Sequence, residues 1–153
     1  MRRNKIIGII TIAVGIFYII YTSSNIQSLF FSDLNIEKKF PEINYYKQTY
    51  TFFKWLAFGI LGIFSGYKLL REKKIGWILT CSFWGSILIE RLFASILNLL
   101  KSNLLFNIQT SLSLIIFLII VSKFFIVKYE VDKYSWIKVS LITGIIIFSN
   151  QVI

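Results

Sequence analysis

Five long apolar runs, separated by short connectors that carry lysine and arginine, occupy most of this 153-residue chain. They extend from about Ile6 to Tyr21, Phe52 to Leu70, Ile75 to Leu97, Leu104 to Val127 and Trp136 to Val152. A helical crossing of a bilayer needs about 20 mainly apolar residues, and that spacing makes lipid the natural solvent for the chain. Backbone amides inside lipid find no water, so a crossing must be a helix or a strand of a closed barrel. Barrel strands alternate in polarity over about ten residues, whereas Ile6 to Ile20 is almost continuously apolar. The expected fold is therefore all-α, a polytopic transmembrane helical bundle of five spans forming one integral membrane domain over residues 1–153. The fifth span differs from the other four. Its apolar core, Val139 to Phe148, is shorter than a full crossing, with Lys138 at one end and Ser149, Asn150 and Gln151 at the other. Lys138 can snorkel to the headgroups along its aliphatic stem.

Composition removes the soluble alternatives. The chain is 56% hydrophobic and only 16% charged, with a mean hydropathy of +0.72, against about 45–50% apolar and about 25% charged for ordinary soluble domains. The size, and the abundance of Ile, Lys, Asn and Phe, suit a small protein of a bacterial plasma membrane.

The basic residues predict orientation. Alternate connectors group Arg2, Arg3, Lys5, Lys68, Arg71, Lys73, Lys74, Lys123, Lys128, Lys133 and Lys138 on one side, and Lys38, Lys39, Lys47, Lys54 and Lys101 on the other. Cytoplasmic loops hold the excess of Lys and Arg, which predicts a cytoplasmic amino terminus and an external carboxyl terminus. Tyr18, Tyr21, Tyr50 and Trp55 then fall at the outer boundary, and Tyr67, Trp77, Tyr129 and Trp136 at the inner one, as aromatic belts. The net charge of +10 does not indicate nucleic acid, because these bases are spread over every connector and not gathered on one face. They serve topology and contact with anionic lipid. The basic start followed by an apolar run could also be read as a signal peptide. The run is longer than the usual 7–15 residues, and Thr22 to Ser24 make a weak cleavage site, so an uncleaved anchor is the preferred reading.

Residues 23–51 form the one sizeable extramembrane loop by this reading. Leu29, Phe30, Phe31, Leu34 and Ile36 precede Glu37, Lys38 and Lys39, the pattern of a short interfacial helix on the outer surface. An anchoring role is preferred over recognition of an external partner.

Catalytic chemistry has little material. The chain contains no histidine, which removes the commonest general base and metal ligand. Its single cysteine, Cys81, can form neither an intrachain disulfide nor a cysteine-rich metal site. No Gly-rich phosphate loop, HExxH or GxSxG pattern occurs. The expectation is a non-enzymatic protein with no catalytic residue, metal or cofactor.

The exception to the apolar pattern is Glu90 with Arg91 inside the third run. An ionised residue at a helix centre costs about 2.5–3.5 kcal/mol on insertion scales, so both need partners or an interface. Neighbouring helix positions point about 100° apart, and Glu90 shares a face with Ser86 and Ala94. Folding the third and fourth spans about a turn near Ser102 predicts a polar seam joining Glu90, Arg91 and Ser86 to Asn107, Thr110, Ser111 and Ser113. The alternative shortens the third span, so that Arg91 reaches the outer headgroups. Small residues mark packing faces in membranes: Gly59, Gly62 and Gly66 in the second span and Gly85 in the third, supporting a compact bundle and, more weakly, a homo-oligomer.

Three functions follow. The first is an accessory or protective membrane protein that acts by binding another membrane component, such as a membrane-protein partner. The second is a subunit of a small transporter or channel using Glu90 and Arg91. The third, an intramembrane enzyme, has the least sequence support.

Overall fold

The computed structural model describes residues 2–36, 45–96 and 104–151, all of them in helices or the short turns between helices. In chain order these are α1 (Arg2–Ile36), α2 (Tyr45–Leu70), α3 (Lys74–Ile96), α4 (Leu104–Ile120), α5 (Lys123–Lys128) and α6 (Lys133–Gln151). Three segments are long and apolar enough to cross a membrane: Arg3–Ser24, Tyr50–Leu70 and Lys74–Ala94. Of these, α3 is central. Its apolar window is 61% buried, against 28% and 33% for the other two, and it packs on α2, α4 and α6.

The bundle exposes apolar side chains and holds small polar ones among the apolar residues of its core. Thr11, Ser65, Thr80, Ser82, Ser86, Ser113 and Thr143 are buried, while Ile9, Ile20, Ile115, Leu118, Leu141, Ile145 and Phe148 are exposed. Water would penalise so large an apolar exterior; hydrocarbon does not. The buried hydroxyls mostly turn back on their own helices. Thr11 donates to the Ile7 carbonyl, Ser65 to Gly62, Ser86 to Phe83 and Ser113 to Thr110, the local bonding that lets Ser and Thr sit in helices away from water.

Glycine determines how α1 meets α2. A Cβ on Gly15 would lie 2.7 Å from both the Gly59 carbonyl oxygen and the Ile63 amide nitrogen, and one on Gly66 would lie 2.6 Å from the Gly8 carbonyl oxygen. The pairing of Gly8 with Gly66 and of Gly15 with Gly59 makes the helices antiparallel, with backbones in direct contact. Such approach lets dispersion and weak C–H···O contacts hold helices together in lipid. Gly62 faces both Gly15 and the Phe83 ring of α3, and Gly85 on α3 admits Phe117 of α4.

Two similar turns lie together at one end. After α2, Glu72 takes a positive φ of 54°, Lys73 N–H donates to the Lys68 carbonyl and Glu72 N–H to that of Leu69. After α5, Glu130 takes a φ of 49°, Val131 N–H donates to Ile126 and Glu130 N–H to Val127. Both are Schellman endings, which satisfy the last helical carbonyls, but with glutamate where glycine is usual. Asp132 then opens α6 by accepting from the Ser135 amide at 2.8 Å and from the Ser135 hydroxyl. Lys128 pairs with Glu72 at 2.7 Å, and Lys74 reaches the Glu130 carbonyl at 2.8 Å and Asp132 at 3.5 Å. The Asn4 side-chain amide also reaches Glu72, at 3.5 Å. The start of α1, the α2–α3 turn and the α5–α6 turn therefore share one end. At the other, the Tyr50 hydroxyl donates to the Ser149 carbonyl at 2.7 Å, so both α2 and α6 run the height of the bundle.

Several elements depart from the sequence expectation. The first helix does not stop near Tyr21 but continues to Ile36, so residues 23–36 of the expected loop belong to α1, and its last residues, from Tyr45, belong to α2. Nothing between Ile20 and Ile36 is a strong helix breaker; the sole proline, Pro41, lies outside the described residues. The fourth run is not one helix to Val127, because α4 ends at Ile120 and α5 begins at Lys123. At this break the Trp77 indole donates to the Ile120 carbonyl at 2.9 Å, supplying a partner in place of an intrahelical amide. Trp77 is fully buried and Tyr129 nearly so, so both rings pack against protein.

Candidate functional site

The phase of α3 determines where its two charges point. Seven residues advance a helix by nearly two turns, so residues seven apart share a face. Trp84 faces α1, its indole donating to the Thr11 hydroxyl at 3.0 Å. Arg91 lies seven residues beyond Trp84 and Tyr18 seven beyond Thr11, and Arg91 hydrogen-bonds the Tyr18 phenol. α1 and α3 are therefore parallel and in register over these steps. Phe83 faces α2, its ring stacked on Phe58 at 4.6 Å between centroids. Glu90 lies seven beyond Phe83 and interacts electrostatically with Lys54, one turn from Phe58.

The resulting cluster of Tyr18, Lys54, Glu90 and Arg91 draws on three helices and rests on aromatic rings. Tyr18 stacks on Trp55 with centroids 5.4 Å apart and meets Phe58 edge-on at 5.2 Å. The Lys54 ammonium lies 5.4 Å above the Trp55 ring, a cation–π distance. All four polar side chains are half-buried. Glu90 interacts electrostatically with both cations of the group, Lys54 and Arg91.

The seam expected between the third and fourth spans includes Asn107, whose side chain lies outside the described residues, and the described neighbours of Glu90 and Arg91 are Lys54 and Tyr18. Glu90 and Arg91 have neighbours on α2 and α1, and the face of α3 turned to α4 is that of Gly85, seven residues before Leu92, an apolar residue. Ser86 and Ser113 are buried and bond carbonyls of their own helices, and Ser111 is exposed. The Thr110 carbonyl accepts from Ser113, and the Asn107 side chain lies outside the described residues. Tyr18 and Lys54, read from sequence as a belt residue and a connector charge, are the partners that reasoning missed; the seven-residue steps linking Thr11 to Tyr18 and Trp84 to Arg91 were the available signal.

Beside Lys54 a cavity of about 290 Å³ opens between α2 and α6, lined by Tyr50, Phe53, Lys54, Ala57, Phe58 and Leu61 of α2 and by Ile146 and Ser149 of α6. Its polarity is graded. Tyr50, Lys54 and Ser149 gather at the end closed by the Tyr50–Ser149 bond, whereas Ala57, Phe58, Leu61 and Ile146 line the remainder. The volume is close to the small end of the about 300–1,000 Å³ range of small-molecule sites.

Comparison with family models, curated proteins and solved structures finds no match to this chain.

Proposed function

We propose that the chain is a small multi-pass protein of a cell membrane that acts by binding another membrane component, without catalysis. The observation that carries this reading is the graded cleft between α2 and α6, with Lys54 at its polar end and Glu90, which interacts with both Lys54 and Arg91, nearby. Charges inside a span are costly and are found where a membrane protein uses them. Here they adjoin a cleft of the kind a ligand or partner segment enters.

The same reading takes five crossings with the amino terminus in the cytoplasm. It is supported by the joining of Asn4, Glu72 and Lys128 at one end and by α6, which starts there and finishes beside Tyr50. On this reading the chain crosses twice between the Glu72 and Glu130 turns, and α6 makes the fifth passage. α4, with 17 residues, is about 25 Å long at 1.5 Å per residue, close to the roughly 30 Å hydrocarbon core. A transport role receives less support, because a conduction route needs a series of lining polar groups, and Ser65, Ser86 and Ser113 bond carbonyls of their own helices.

Two measurements test the proposal. Purification from native membranes in mild detergent should retain a bound membrane component that Ala57→Trp, which fills the cleft, releases. For topology, Cys81 is fully buried and can stay while single cysteines are added. An impermeant maleimide should label Ser24→Cys in intact cells and Lys133→Cys only after permeabilisation. The reverse pattern would overturn the orientation.

A further inference from the structure

The direction of the polarity gradient in the α2–α6 cleft points to a class of ligand. Along α2, the lining runs from Tyr50 to Leu61, eleven residues or about 16 Å of helix at 1.5 Å per residue. That is about half of the roughly 30 Å hydrocarbon core, the depth of one leaflet. The polar residues Tyr50, Lys54 and Ser149 occupy the end of the bundle opposite the Glu72 turn, and the apolar lining continues inward from them. A cleft one leaflet deep, cationic at its rim and apolar along its length, has the profile of a lipid standing in its own monolayer.

On the reading that the cleft binds a membrane component, we infer that its occupant is an anionic phospholipid. One acyl chain lies along Ala57, Phe58, Leu61 and Ile146, and the phosphate stands beside Lys54. The volume of about 290 Å³ accommodates a chain and not a whole lipid, so the headgroup stays at the interface. Charge complementarity favours an anion. Lys54 is the one acidic or basic side chain among the described residues that line the cleft. The aromatic rings supply the other half of recognition. Phe58 is fixed by its stack on Phe83 and its edge contact with Tyr18, so the wall against the chain is formed before the lipid arrives. A preformed apolar wall lowers the ordering cost of binding.

Photocrosslinking distinguishes this occupant from others. Ala57→p-benzoylphenylalanine places the probe in the cleft. Ile145→p-benzoylphenylalanine places it one residue from the cleft-lining Ile146 but on an exposed face, Ile145 being 68% exposed. Both variants are irradiated in cell membranes and in nanodiscs of equal parts phosphatidylcholine and phosphatidylglycerol, and adducts are identified by mass spectrometry. The expected result is a several-fold excess of phosphatidylglycerol adducts at Ala57 over Ile145, lost in Lys54→Gln and kept in Lys54→Arg. A protein adduct at Ala57 in cell membranes, with no phosphatidylglycerol excess in nanodiscs, would overturn the lipid while leaving the binding reading standing. Adducts at both positions in the proportions of the bilayer, with no protein captured, would overturn both. Should Lys54→Gln fail to fold, the comparison of Ala57 with Ile145 decides alone, since it removes no charge.

Discussion

The two ends of this bundle both carry charge, and they handle it differently. At the Glu72 end, Lys128 with Glu72 and Lys74 with Asp132 pair across two turns at the ends of the helices, with side chains 23–53% exposed. At the Tyr50 end, Lys54, Glu90 and Arg91 stand within the apolar segments themselves. Exposed ion pairs contribute about 0–1 kcal/mol each, so the first set joins turns and marks a side of the membrane at little cost. The second set sits where charge is expensive, and the structure surrounds it with Tyr18, a Trp55 ring and a cleft. The contrast teaches that position in the span, more than number of charges, separates the two sets.

The contrast rests on the α1–α2 contact, which holds Tyr18 and Lys54 in place, and breaking that contact should have the largest effect. Gly15→Leu drives a side chain into the Gly59 and Ile63 backbone. Overpacking against backbone that cannot yield should cost at least about 3 kcal/mol, seen as lost expression or a polydisperse detergent-solubilised protein. Gly144→Ala, where an added Cβ meets nothing within 4 Å, should be tolerated and gain the helix propensity of alanine, about 0.5–1 kcal/mol. Equal damage from both would refute a specific glycine contact.

Within the cluster, Lys54→Met and Glu90→Gln should each destabilise by about 1–3 kcal/mol, because each removes one side of a favourable electrostatic interaction between half-buried charges. The double variant should cost less than the sum, with a coupling of about 0.5–3 kcal/mol in thermal unfolding cycles. The corresponding cycle for Lys74 and Asp132 should show coupling below about 1 kcal/mol. Similar coupling at both ends would erase the distinction drawn between them.

Trp77→Phe keeps the ring but removes the N–H that serves the Ile120 carbonyl at the α4–α5 break. A lost hydrogen bond that leaves a buried carbonyl unpaired should cost about 1–2 kcal/mol, with amide exchange increasing first around residues 117–125.

The smallest effect is the pH response of the Glu72 end. The Ser135 hydroxyl and amide hold the Asp132 carboxyl down at about 2, helped by Lys74, and the hydrogen bond from Lys128 lowers that of Glu72. Folded values below unfolded ones mean that this contribution is complete above the unfolded carboxylate values. It is lost as pH falls from about 4 toward about 2. Thermal midpoints should therefore fall slightly over that window, less so at high salt, and Asp132→Asn should flatten the response.

What the sequence made legible was whatever hydrophobic length controls. α2, α3 and α6 lie within a few residues of the second, third and fifth runs, apart from the extra turns that begin α2 at Tyr45. Lengths end where charges begin, as at Arg71 to Lys74. The continuation of α1 past Tyr21 was hidden because leaving the apolar stretch does not by itself end a helix; a breaker does, and none occurs before Ile36. The break after Ile120 was hidden for the opposite reason. Val121 and Ser122 carry no proline or glycine signal, and the freed Ile120 carbonyl depends on Trp77, 43 residues away. The charged pair was visible as an anomaly, but its partners were not. Residue 90 and residue 91 diverge by 100°, and only the parallel register of α1 with α3 shows that Arg91 meets Tyr18.

Binding at the α2–α6 cleft is tested most directly by native mass spectrometry of the protein released from mild detergent, wild type beside Ala57→Trp. The account predicts a retained membrane-derived adduct on the wild type that is absent from Ala57→Trp, while the thermal midpoints of the two remain close. Equal occupancy of both proteins, or a bare wild type, would contradict it.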